Sequence, residues 1–123
     1  MCIRDRDVQL GRIKNETMEG RWQRHAAMRD ATVKWVERMA KEKGVAISVL
    51  APEGFRSPTV TTINMPAGKV SPPVVAAMKD KGFVIGGGYG KLKDPTFRIG
   101  HMGDHTVAGT EVVLETLEEV LTA

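Results

Sequence analysis

The stretch Thr96-Phe97-Arg98-Ile99-Gly100-His101-Met102-Gly103-Asp104 sets one arginine between two large apolar residues, then runs into a glycine-punctuated turn. Side chains of a strand alternate faces, so Phe97 and Ile99 point into a core while Arg98 points the other way. On the residues alone Arg98 has two readings, a structural salt bridge and a carboxylate receptor. The receptor reading rests on geometry: a planar guanidinium grips a carboxylate through two parallel hydrogen bonds, which lysine does not reproduce.

The segments around this strand have clear punctuation. Met28, Ala31, Trp35 and Met39 recur at helical spacing, extended by Met18, Trp22 and Ala26, and predict a helix from about Glu16 to Lys43. Gly44 follows Lys41 and Lys43, where a left-handed residue ends a helix. Val45 to Leu50 reads as a strand, and the β-branched run Thr59 to Met65 as another. Ser71-Pro72-Pro73 starts a second helix with Ser71 as its cap, and Gly82 stops it. Phe83 to Gly86 reads as a strand continuing into Gly86-Gly87-Gly88-Tyr89-Gly90, antiparallel to the Arg98 strand. A last helix from Thr106 to Leu121 has Val107, Leu114, Leu117 and Leu121 on its apolar side, with Asp104 capping or flanking its start. The order predicts an α+β layer: a small mixed or antiparallel sheet with helices on one face.

Charge and cysteine usage narrow the function classes. The net charge of +3 is spread along the first helix and offset by an acidic last helix, with no aromatic residues interleaved for stacking on bases. Nucleic-acid binding is therefore not expected. No apolar run approaches a bilayer span, so no membrane association is expected. Cys2 is the single cysteine, which excludes an internal disulfide and fits a cytoplasmic setting. Met1 to Arg6 lack the apolar core of a secretory signal and resemble translated adapter sequence at the head of environmental gene fragments. Residues 1–15 are accordingly expected to be a non-native or partial leader, and residues 16–123 a single domain.

Several chemistries fail at the level of spacing. A Walker loop needs a glycine where Ile85 stands and a hydroxyl residue where Leu92 stands. A dinucleotide fingerprint opens a helix, whereas these glycines lead to a loop and another strand. They read instead as a bulged strand end that another backbone or a ligand approaches. His101 and His105 are separated by Gly103, against a helical two-histidine metal site, and no metal is expected. No catalytic triad or carboxylate pair stands out.

The phrase Phe97-Arg98-Ile99-Gly100-His101-Met102-Gly103 resembles the carboxyl-terminal signature of class V aminotransferases, especially the alanine–glyoxylate and serine–pyruvate branch. Glu19 to His25, Arg56 to Thr62 and Phe83 to Gly90 resemble further segments of that family in the same order, so that the likeness spans residues 16–122. The resemblance implies the C-terminal small domain of an aspartate-aminotransferase-like, fold type I pyridoxal 5'-phosphate enzyme. Such an enzyme moves an amino group from alanine or serine to glyoxylate or pyruvate and works as a homodimer. It further implies that Arg98 binds the substrate carboxylate and that Gly86, Gly87 and Gly88 line the cleft. No catalytic residue is expected in this chain, because the Schiff-base lysine precedes the small domain in that family. Lys69, Lys91 and Lys93 are not candidates for it, and the chain alone is expected to be inactive. The alternative is a free-standing small-ligand-binding or regulatory module without catalysis.

Overall fold

The helix expected from about Glu16 to Lys43 is present, and another helix precedes it. The computed structural model describes residues 2–123 and places a helix α1 at Ile3–Glu16 and a longer α2 at Met18–Glu42. Thr17 sits between them with φ at 73°, the one non-glycine residue with positive φ among the described residues. A non-glycine residue in that extended, positive-φ region costs about 1–3 kcal/mol. Two local bonds offset that cost: the Thr17 amide donates to the Ile13 carbonyl, and its hydroxyl accepts from the Gly20 amide. The expectation of a helix beginning near Glu16 thus holds for α2, and α1 is an addition to it. Residues 3–16 are helical, yet α1 buries none of its side chains.

The remaining elements are β1 (Ser48–Val49), β2 (Val60–Asn64), α3 (Pro72–Asp80), β3 (Gly86–Gly87), a 3-10 turn (Gly90–Leu92), β4 (Thr96–Gly100) and α4 (Val107–Thr122). The sheet is antiparallel throughout in the order β1-β2-β4-β3. Alternation along β4 works as expected. Phe97, Ile99 and Ile63 are buried together with Trp35, Val36 and Met39 of α2, Val74 and Met78 of α3, and Leu114 and Leu117 of α4. Each fully buried side chain of this size contributes about 1.5–3 kcal/mol by leaving water. On the opposite face the register aligns Thr62, Arg98 and Gly86 across three strands.

Both edge strands are shorter than their sequence pattern, for a backbone reason. The Phe83 amide donates to the Met78 carbonyl and closes α3, so strand pairing begins only at Gly86. After Gly44, with φ at 65°, the Val45 amide returns to the Met39 carbonyl and the Ile47 amide to Val45. Those bonds delay pairing with β2 until Ser48 and Val49, after which the Leu50 amide donates to the Thr62 carbonyl.

Two helix starts differ from expectation as well. Ser71 occupies the position before α3, but its hydroxyl donates to the Lys93 carbonyl and its amide to the Asp94 carbonyl. Pro72 and Pro73 follow it and offer no N–H for a cap. Thr106 caps α4 by accepting from the Gly109 amide, which leaves Asp104 free for another task. On α2, Met18 and Trp22 are exposed, and Arg21 and His25 take the buried side. That end of α2 faces the carbonyl-rich loop after β4 rather than the core. Among the described residues no helix is long and apolar enough to cross a membrane.

Candidate functional site

Arg98 leaves β4 on the face away from the core and is partly buried. Its Nε–H donates to the Gly87 carbonyl at 2.8 Å, a bond the β3–β4 pairing makes possible. The guanidinium carbon lies 4.3 Å from the centroid of the Tyr89 ring, within cation–π range. No aspartate or glutamate pairs with Arg98 among the described residues. The salt-bridge reading of Arg98 therefore has no partner here, and its two terminal amino groups make no hydrogen bond within the described chain.

The three glycines do different things. A Cβ on Gly86 would stand 3.0 Å from Arg98 Nη2, so the guanidinium lies against that bare backbone. Gly87 supplies the carbonyl and has open space where a side chain would be. Gly88 is a packing glycine: a Cβ there would fall 2.0 Å from the Leu92 carbonyl oxygen and 2.3 Å from Thr96 Oγ1. Gly87 and Gly88 line a cavity of about 430 Å³ together with Val75, Ala76, Tyr89 and Arg98. Lys79 and Lys93 also border it, and no acidic residue does, so the cleft is apolar in its walls and positive in its field. A larger groove of about 590 Å³ between α2 and α4 mixes Asp30, Glu111 and Glu115 with Lys34 and Arg38 and has no such polarity.

The histidines are not brought together. His101 is fully buried: its Nδ1–H donates to the Pro58 carbonyl at 2.9 Å, and its Nε2 accepts from the Thr61 hydroxyl at 2.8 Å. Burial holds its pKa below the ordinary imidazole value. His105 is exposed. Among the described residues no cluster of three or more His, Cys, Asp or Glu could hold a metal.

The sequence reading passed over Tyr89 and an ionic latch. Asp104 accepts from Arg12 at 2.8 Å and from Arg21 at 3.2 Å, while Arg21 also donates to the Gly103 carbonyl at 2.9 Å. Arg24 grips Glu16 and the Gly103 and His105 carbonyls. Hydrogen bonds from Arg12 and Arg21 lower the Asp104 pKa, and one from Arg24 lowers that of Glu16. The latch ties α1 and the start of α2 to the loop that carries β4 into α4. Its only sequence signal is a run of arginines on one side of α2.

No protein-family profile matches the chain. It is 34% identical over 122 residues to the alanine–glyoxylate aminotransferase of Rattus norvegicus, covering 98% of this chain and 28% of that protein. Among solved structures it superposes on a pyridoxamine–pyruvate aminotransferase from Mesorhizobium loti with a TM-score of 0.82 at 30% identity, over 94% of this chain and 29% of that one. An alanine–glyoxylate aminotransferase from Nostoc sp. gives a TM-score of 0.75 at 27% identity, over 91% and 29%. Over nearly its whole length the chain is therefore similar to aminotransferases of the alanine–glyoxylate type. It spans less than a third of the length of the curated relatives it matches, and the solved aminotransferases are matched over their C-terminal part.

Aminotransferases of this family imply pyridoxal phosphate, and the residues present do not build a seat for it. Every lysine of the chain is exposed, whereas a Schiff-base amine needs a desolvated or cationic setting that lowers its pKa. What the chain does offer is a positioned guanidinium beside an apolar cleft.

Proposed function

We propose that the chain is the C-terminal small domain of a pyridoxal-phosphate aminotransferase of the alanine–glyoxylate type, with Arg98 as the receptor for the substrate carboxylate. The carrying observation is a partly buried guanidinium that borders a cleft with no acidic partner among the described residues. In this reading alanine or serine is the donor and glyoxylate or pyruvate the acceptor. The full-length enzyme is a cytoplasmic homodimer whose cofactor site is built mainly by residues outside this chain. Arg98 works by orientation. Two parallel hydrogen bonds to the carboxylate fix where the substrate's amino-bearing carbon lies, and no proton moves through the guanidinium.

The test is made in the completed enzyme, recovered by extending the reading frame upstream. Arg98→Lys is expected to raise the amino-acid KM with the cofactor still bound, and unchanged kinetics would overturn the assignment. The chain alone, mixed with pyridoxal phosphate, is expected to show neither the absorbance of a specific internal Schiff base nor transamination. Either signal would contradict the small-domain reading, and a frame that opens at residue 1 would favour a free-standing ligand-binding module.

A further inference from the structure

We propose that Tyr89 is the positioning residue of Arg98, its ring holding the guanidinium so that a carboxylate is received end-on by Nη1 and Nη2. The inference rests on the reading of Arg98 as a carboxylate receptor and adds how the receptor is held and which edge it presents.

An arginine can meet a carboxylate along either of two edges, through Nε with one terminal nitrogen or through both terminal nitrogens. The Nε–H of Arg98 is committed to the Gly87 carbonyl at 2.8 Å, which removes the first edge. The second edge stays open, because neither terminal nitrogen has an acceptor among the described residues. One hydrogen bond pins a point on the guanidinium but not the plane in which it lies. That plane is set by the Tyr89 ring, 4.3 Å from the guanidinium carbon. The bare backbone of Gly86 leaves room for Nη2, since a Cβ there would stand only 3.0 Å away.

Tyr89 has no packing reason to lie there. It is 76% exposed and belongs to no part of the hydrophobic core. It borders the same cavity as Arg98, Lys79 and Lys93. A long arginine side chain that is ordered before its ligand arrives loses less conformational freedom on binding. The ring therefore raises carboxylate affinity without itself touching the carboxylate.

The experiment follows the Arg98 Nε–Hε resonance of the ¹⁵N-labelled chain, assigned by its disappearance in Arg98→Gln, during titration with acetate and with pyruvate. Tyr89→Phe keeps the ring and is expected to bind as the parent does. Tyr89→Leu keeps an apolar side chain but removes the π face. It is expected to bind about two- to fivefold more weakly, the factor an exposed cation–π contact is worth. Its Nε–Hε resonance should also lose its ring-current shift while the core amides stay in place. Undiminished binding by Tyr89→Leu overturns the role of Tyr89 and leaves the receptor intact. Equal loss in Tyr89→Phe and Tyr89→Leu assigns the effect to the hydroxyl and also overturns the proposal. Undiminished binding by Arg98→Gln, read from the backbone amides of Gly87 and Gly88 that border the same cavity, overturns the receptor reading itself.

Discussion

Gly86 lies opposite Arg98 in the β3–β4 ladder, and the guanidinium folds back over that glycine so closely that a methyl group would reach Nη2 at 3.0 Å and Nε at 3.3 Å. The contact is with the far end of a flexible side chain, so Gly86→Ala leaves the fold intact and displaces the arginine instead. Stability in urea is expected to stay within about 1 kcal/mol of the parent, while carboxylate affinity by titration falls. Equal loss of stability and binding would mean that the strand, not the guanidinium, had yielded.

Two residues on, the same substitution has the opposite outcome. A Cβ at Gly88 would meet the Leu92 carbonyl oxygen at 2.0 Å and the carbonyl carbon at 2.6 Å. These are backbone atoms of the turn that returns the chain into β4, and they cannot swing aside. Gly88→Ala is expected to destabilise the chain by about 3 kcal/mol, the upper range for forced overpacking. Gly87→Ala, with open space at its Cβ, serves as the control in the same unfolding series.

How far the sequence carries the fold can be seen in these neighbouring residues. The alternation of Phe97, Arg98 and Ile99 is a period of two, and the covered and uncovered faces of β4 follow from it directly. Gly44 and Gly82, both with positive φ, end their helices where the pattern places them. The extent of β3 is not legible, because it depends on whether the Phe83 amide is already spent on Met78. The helix before Thr17 is not legible either, since α1 buries no side chain and so leaves no apolar stripe to read. Trp22 shows the limit of periodicity. It continues the apolar stripe of α2, but the stripe outruns the sheet, and the side facing the β4–α4 loop is taken by Arg21 and His25. The apposition of Tyr89 and Arg98 depends on the path of the intervening turn, which residue types alone do not specify.

The latch at Asp104 gives α1 a stability of its own kind. α1 buries no side chain, and its cross-chain tie is the pair of Arg12 with Asp104, backed by the grip of Arg24 on Glu16. Asp104→Asn is expected to speed amide exchange along α1 while the amides of β2, β4 and α4 keep their protection. Raising the salt to about 1 M, where the screening length is about 3 Å, should act in the same direction. Exchange in α1 that ignores both changes would show that its attachment is not ionic.

His101 gives the fold a pH dependence whose sign follows from its burial. The imidazole is fully enclosed, and burial, which favours the neutral ring, outweighs the bond to the Pro58 carbonyl, which favours the charged one, so its pKa is lowered. In the unfolded chain the same ring titrates near the usual value of about 6.5. The unfolded state therefore takes up a proton first as pH falls, and stability favouring the fold is complete above about 6.5 and declines below it. The lowered carboxylates Glu16, Asp104 and Glu118 contribute to this trend only nearer their own usual values of 4.5, 3.8 and 4.5, so the window from about pH 6.5 to 5 belongs mainly to His101. The melting temperature of the chain is expected to drop across that window. His101→Asn keeps a donor for the Pro58 carbonyl but loses the bond with Thr61, lowering stability by about 1 kcal/mol above about pH 6.5 and flattening the slope below it, so that the difference from the parent narrows as pH falls. A variant that melts lower but retains the full slope would show that the titrating group lies elsewhere.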